Sequence, residues 1–231
     1  MKIKLCILSI LICMSVVKLN AQFRLGAEVG MNVSSLAIIS NSHNVDVSGG
    51  LSVDYLFKNG TVLQSGLFYS RKGASGLWDQ YNYSCALRQG DFHLGYVEIP
   101  LMVGYRIPVM NNVYIVPAVG AYFACGAGGY AEVDVIVSNE NGTGRYPDNW
   151  NPYKDFRMEW LADTKINAFD RFDSGLRFGL SGEISRFVIS FAYDLGLKKV
   201  WSGFDTESYK TDTHKMKNRT ATFSIGYKFS L

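Results

Sequence analysis

Long apolar runs are missing from this 231-residue chain once its first 21 residues are set aside. No later stretch approaches the roughly 18–20 apolar residues of a membrane-crossing helix, so a helical membrane protein is excluded. Helical periodicity is scarce too, which removes helix bundles, and no repeat of solenoid or propeller period is present. Proline is rare, at five residues, in keeping with a chain built of regular strands. Histidine occurs only at His43, His93 and His214, and no G-x-S-x-G segment accompanies them. Ser42-His43 stands near Asp46, but a catalytic triad is a matter of geometry and not of neighbours in sequence. Of four cysteines, Cys6 and Cys13 fall in the opening segment, leaving Cys85 and Cys125. Neither has zinc-ligand spacing to another Cys, His or acid. A bridge between them and two independent thiols are both open.

An excess of charge is lacking as well. Lys2, Lys4 and Lys18 lie in the first 21 residues and no acid does, so the formal +3 of the whole chain falls to zero for the remainder. That balance offers nothing to nucleic acid. The opening itself reads as a secretory signal: a basic start, an apolar core over 5–17 too short to span a bilayer as a helix, and Leu19-Asn20-Ala21 before the cut. A lipid attached at Cys13 is disfavoured, because Ile10-Leu11-Ile12 lacks the small residues such processing prefers. The expected domain is therefore 22–231, after a signal over 1–21.

What is present is period-two alternation, rich in Gly, Tyr and Phe. It predicts eight strands, over 23–34, 45–57, 61–72, 94–107, 113–125, 174–184, 187–196 and 219–231. On the last, Arg219, Ala221, Phe223, Ile225, Tyr227, Phe229 and Leu231 share one face, opposite Thr220, Thr222, Ser224, Gly226, Lys228 and Ser230. Phe68 breaks the alternation of the third strand, and Pro100 predicts a bulge or bend in the fourth. The fifth is apolar on both faces. Connections alternate in length: 58–60, 108–112 and 185–186 are short, whereas 35–44, 73–93, 126–173 and 197–218 are long. An up-and-down barrel in a bacterial outer membrane needs this, with tight periplasmic turns and extended external loops.

The expected fold is thus an all-β, eight-stranded antiparallel up-and-down transmembrane barrel, exported through the periplasm to the outer membrane. Closing the sheet satisfies every backbone amide within the protein and leaves no edge. Apolar faces meet lipid, with tyrosines such as Tyr55, Tyr69, Tyr105, Tyr193 and Tyr227 near the strand ends. The opposite faces collect Glu28, Asp54, Glu98, Arg106, Arg177, Glu183, Asp194 and Lys228. An eight-stranded barrel holds packed side chains and no open channel, so these charges predict a lumen plugged by ion pairs. Two alternatives stand beside this: a small solute porin, and a soluble lipocalin-like barrel with the faces reversed.

Several stretches carry a family resemblance. Phe23-Arg24-Leu25-Gly26-Ala27-Glu28-Val29-Gly30-Met31-Asn32 follows Asn20-Ala21-Gln22. Leu67-Phe68-Tyr69-Ser70-Arg71-Lys72-Gly73 ends a strand on a basic exit, and Tyr96-Val97-Glu98-Ile99-Pro100-Leu101-Met102-Val103-Gly104-Tyr105 is the most specific match. With the segment 187–197, these make the chain resemble the PorT-like outer-membrane β-barrel family of Gram-negative bacteria. The resemblance implies fold and location. Some members are linked to secretion machinery, but the motifs mark the barrel wall and not a docking site.

Chemistry is sparse. The acids and amides of 139–155 do not have the spacing of a calcium loop, and no cofactor is expected. Tyr146, Trp150, Tyr153 and Trp160 form a candidate external binding loop for a protein or glycan partner, or else pack that loop onto the barrel. No catalytic residue is assigned, and the expected role is non-enzymatic: a structural barrel, or one displaying external loops for binding or envelope assembly.

Overall fold

Alternation of apolar and polar residues gives each strand one greasy and one polar face, and three tight turns join the strands in pairs. The computed structural model describes the backbone of residues 23–36, 43–82, 85–139, 142–154, 156–158, 164–166, 168–200, 204–205 and 217–230. Side chains are described over 23–36, 43–75, 91–132, 150–154, 168–200 and 217–230. The signal segment therefore lies outside the described residues.

Every described element is a strand: β1 (Phe23–Leu36), β2 (Asn44–Leu56), β3 (Thr61–Asn82), β4 (Cys85–Tyr105), β5 (Ile107–Met110), β6 (Val113–Asn139), β7 (Gly142–Trp150), β8 (Phe156–Met158), β9 (Thr164–Ile166), β10 (Phe172–Ile184), β11 (Phe187–Gly196), β12 (Phe204–Asp205) and β13 (Asn218–Ser230). Eight form the wall, in the antiparallel order β1-β2-β3-β4-β6-β10-β11-β13, and β13 pairs back onto β1. The barrel is closed. A row of paired residues leaves Leu25, runs through Val53, Ser65, Leu101, Ala121, Leu176, Leu195 and Arg219, and returns to β1 at Ser35. That stagger of ten residues over eight strands tilts them by roughly 35–45° to the axis.

The outer surface is apolar. Leu51 is 66% exposed, Phe223 57% and Leu101 53%, while Glu98 and Glu183, on the other face, are each 1% exposed. A soluble barrel with a hydrophilic exterior is thereby excluded. Aromatic rings collect at the turn end, where Tyr55 meets Phe23 and Phe57 edge-on, and Tyr227 meets Phe187 and Phe229. At the turn 58–60, Asn59 Oδ1 accepts from the Thr61 amide at 3.0 Å, and Gly60 takes a φ of 88° that a side chain would resist.

Several expectations need correction. The segment 73–93 continues β3 and β4 as a hairpin, and β6 runs on to Asn139 and pairs with β7, so much of two long loops is strand. Alternation fades there because neither face is committed to lipid. After residue 155 the long connection holds β8 and β9, which form a small sheet with β12. Pro100 causes no bulge. Pairing of β3 with β4 keeps its register there but skips Gly66 and Leu67, as one missing amide donor at Pro100 requires. The register shift falls instead at Gly95 and Tyr96, opposite Gly126 and Gly128. Phe68 points inward with its alternation intact: a Cβ at Gly50 or Gly66 would come within 2.7 Å of its ring, so the ring occupies room those two glycines leave. Cys85 pairs with Val137 and Cys125 with Val97. Twelve residues of strand, about 40 Å, separate the two cysteines, which rules out a bridge.

Candidate functional site

The lumen holds most of the charged side chains the alternation sends inward, and it arranges them in two layers. The first lies at the turn end. Arg24, at the start of β1, reaches Glu183 Oε2 at 2.7 Å and Asp54 Oδ2 at 3.0 Å. Arg106, just past β4, donates from Nε to the same Glu183 oxygen at 2.7 Å and lays its guanidinium on the Tyr114 ring. Lys228 Nζ lies 2.8 Å from Asp54 and 3.4 Å from Glu183. Three cations thus share two carboxylates, and Glu183 holds all three.

The second layer lies toward the other end and alternates in sign. Lys72 Nζ sits 2.5 Å from Glu98 and 2.8 Å from Asp194, while Arg177 clamps Asp194 through Nε and Nη2 and reaches Glu98 at 2.8 Å. Tyr122 places its ring under Lys72 and donates its hydroxyl to Asp173 at 3.1 Å, beside the Asn218 amide at 2.8 Å. Between the layers is a cavity of about 130 Å³, lined both by polar side chains such as Asn32, Ser48, Ser70 and Thr222 and by apolar ones such as Phe68 and Met102. Glu28 faces it and accepts from Ser224 Oγ at 3.2 Å.

Above the second layer the mouth is closed by apolar packing. Leu36, Ala74, Phe92, Leu94, Tyr96, Phe169 and Val200 are all buried, with the Phe92 and Phe169 rings 5.2 Å apart. The β2–β3 ladder ends at Ser48 and Ser70, beyond which side chains replace it. Asn32 donates to Ser70 Oγ and to the Arg71 carbonyl, and Ser34 Oγ donates to the Gly73 carbonyl and accepts from its amide.

Of the eight lumen candidates, Asp54, Glu98, Arg106, Arg177, Glu183, Asp194 and Lys228 are brought together in the two layers, and Glu28 stands apart at the cavity. Arg24 and Lys72 complete the layers beyond those eight candidates. Alternation marks both as inward: Arg24 shares its face with Glu28, and Lys72 shares one with Gln64 and Ser70. In the external segment, Tyr153 is buried against the barrel, with its hydroxyl donating to the Gly95 carbonyl at 3.2 Å, and Trp150 packs edge-on against Phe92. The side chain of Tyr146, and Trp160 and His214 altogether, lie outside the described residues. Asp46 meets His93 Nδ1 at 3.1 Å and not the neighbouring His43, which is exposed, and His93 stacks on Tyr130. Cys125 is exposed on the outer wall. Among the described residues no group of three His, Cys, Asp or Glu side chains is placed to hold a metal.

A family model for the outer membrane protein beta-barrel domain matches residues 18–202. The chain belongs to that family. It is an outer-membrane β-barrel, and its location follows from the family and from the apolar exterior together. No curated protein matches the chain. Among solved structures it is similar to the attachment invasion locus protein Ail of Yersinia pestis, at 14% identity over 91% of this chain and 100% of that one, with a TM-score of 0.36. It is similar also to Neisserial surface protein A, at 12% identity over 90% and 98% of the two chains, with a TM-score of 0.40.

Proposed function

We propose that this outer-membrane barrel is non-enzymatic and non-conducting, of the PorT-like kind. Its signal is cut after Ala21, its short turns face the periplasm, and its long-loop end faces outward for binding or envelope assembly. The observation that supports a closed lumen most is the double ion-pair layer. Each layer spans several wall strands, and water or a solute would have to break at least two charge pairs in each to pass. The external segment 142–166 is the region offered to a protein or glycan partner. Packing of Trp150 and Tyr153 onto the barrel supports a fixed platform there, with the partner meeting its outer face. Two measurements test this reading. Folded protein in planar bilayers is expected to give no stable single-channel steps; large steady currents would establish the porin instead. Protease added to intact cells is expected to cut within 142–166, and cleavage only after the envelope is breached would reverse the orientation.

A further inference from the structure

Inward side chains of an eight-stranded barrel converge on its axis, so groups from opposite walls can share one site there. Just beneath the apolar packing of the mouth lie four buried oxygens: Asp173 Oδ1 on β10, Asn218 Oδ1 and Thr220 Oγ1 on β13, and the Tyr96 hydroxyl on β4. Their residues are each at most 2% exposed, and none of the four atoms has a hydrogen-bond partner among the described residues.

Their depths agree. Because a paired row climbs ten residues in one circuit of eight strands, each step around the wall climbs about one and a quarter residues. Asp173 pairs through Ala124 with Glu98, the inward position next below Tyr96. Arg177, two inward positions below Asp173, pairs through Asp194 with Thr220, the inward position next below Asn218. All four residues therefore stand within about two residues of one level. Their side chains also meet. Asn218 Nδ2 donates to Asp173 Oδ2 at 2.8 Å, and the Tyr96 phenol lies against the Asn218 side chain, in the field of Asp173.

Charge is out of balance at this level. Lys72 and Arg177 already share Glu98 and Asp194, two cations against two carboxylates. Asp173 adds a third carboxylate, with no ion pair among the described residues, and buried charges are ordinarily paired or bound to a metal. Its Oδ2 accepts from the Tyr122 hydroxyl as well as from Asn218, and two donors on one oxygen favour the ionised form. What remains unengaged is one negative oxygen and three neutral ones.

We propose that these four oxygens bind one sodium ion, which ties β4, β10 and β13 together below the mouth. A hard cation takes oxygen ligands, and the single carboxylate balances a single charge. Calcium draws six to eight oxygens, with affinity set by the number of charged ligands, and this site offers one.

The full mature chain, folded into vesicles, is unfolded in urea at fixed total salt while sodium chloride replaces N-methylglucamine chloride. Once the site fills, each tenfold rise in sodium is expected to lower the unfolding constant about tenfold, as one ion bound only by the folded barrel requires. Asp173→Asn, which keeps the shape and removes the charge, is expected to abolish that dependence. Glu28→Gln, at the separate cavity between the layers, is expected to keep it. A wild-type barrel indifferent to sodium would mean that water or a proton satisfies these oxygens, and would overturn the proposal. So would sodium dependence that survives Asp173→Asn or vanishes in Glu28→Gln. Should Asp173→Asn not fold, Thr220→Val is expected to need about tenfold more sodium for the same shift, as loss of one ligand to a charge implies; an unchanged requirement overturns the proposal too. Neither orientation nor conductance enters this result.

Discussion

Glu183→Gln is expected to destabilise the folded barrel by about 3–5 kcal/mol, the usual consequence of removing one partner from a buried ion network. Glu183 is the hub of the turn-end layer, taking Arg24, Arg106 and Lys228. Glutamine keeps the shape and one acceptor oxygen but removes the charge. Asp54 would then face three cations alone, in a lumen with little water to screen them. Urea titration of the barrel in vesicles, followed by the loss of its faster-migrating unboiled band, reads the effect. Loss below about 1 kcal/mol would mean that the layer is solvated, since exposed pairs contribute no more than that. Glu28→Gln supplies the contrast. Glu28 has a hydroxyl and no cation as its partner, and a change within about 1 kcal/mol is expected there.

Leu51→Arg carries the second large effect, of about 2–4 kcal/mol, the cost of an arginine facing lipid near the middle of a barrel wall. Leu51 faces outward on β2, opposite Ala27 on β1 and Leu67 on β3, deep within the apolar belt. Folding yield into vesicles and the urea midpoint both measure it. Arginine at the same position of a water-soluble barrel would be neutral within about 0.5 kcal/mol, so the size of the loss separates the two environments. Val109→Arg, in the exposed β5 beside the short turn 111–112, is expected to cost far less, because the headgroup region accepts a charge.

The two effects concern opposite faces of the same strands, and the alternation made both legible. A residue's parity decides whether it meets acyl chains or the lumen, which is why seven charged side chains read from the pattern come together in the layers. What parity omits is depth. Nothing along one strand says that Arg24 and Glu183, from the first and the sixth of the wall strands, meet at one level; that follows from the ten-residue stagger, which only pairing across the whole wall defines. Phe68 shows the same limit on a smaller scale. As one aromatic on a polar face it looked like a fault in the strand, and its place became clear only with Gly50 and Gly66 on neighbouring rows. Beyond the belt the signal weakened for a physical reason. The hairpin of β3 and β4 and the long β6 leave lipid behind, so their faces no longer differ in solvent, and strand resembled loop. Pro100 shows a limit of the proline rule: a lost donor interrupts the ladder on one side of the strand without adding a residue to it. The external aromatics divided in the same way. Trp150 turns to the barrel to pack edge-on against Phe92, and Tyr153 turns to it because Gly126 leaves room for its ring and the Gly95 carbonyl accepts its hydroxyl.

Nitroxide labels placed singly at Leu51, Leu101 and Phe223, and at their lumen-side neighbours Ser52, Met102 and Thr222, test the arrangement most directly. In reconstituted vesicles the first three are expected to relax strongly with oxygen, which concentrates in hydrocarbon, and weakly with a water-soluble nickel chelate. The second three are expected to be shielded from oxygen. Nickel reaching residues 51, 101 and 223 more readily than oxygen does would put water against the apolar face and contradict the account.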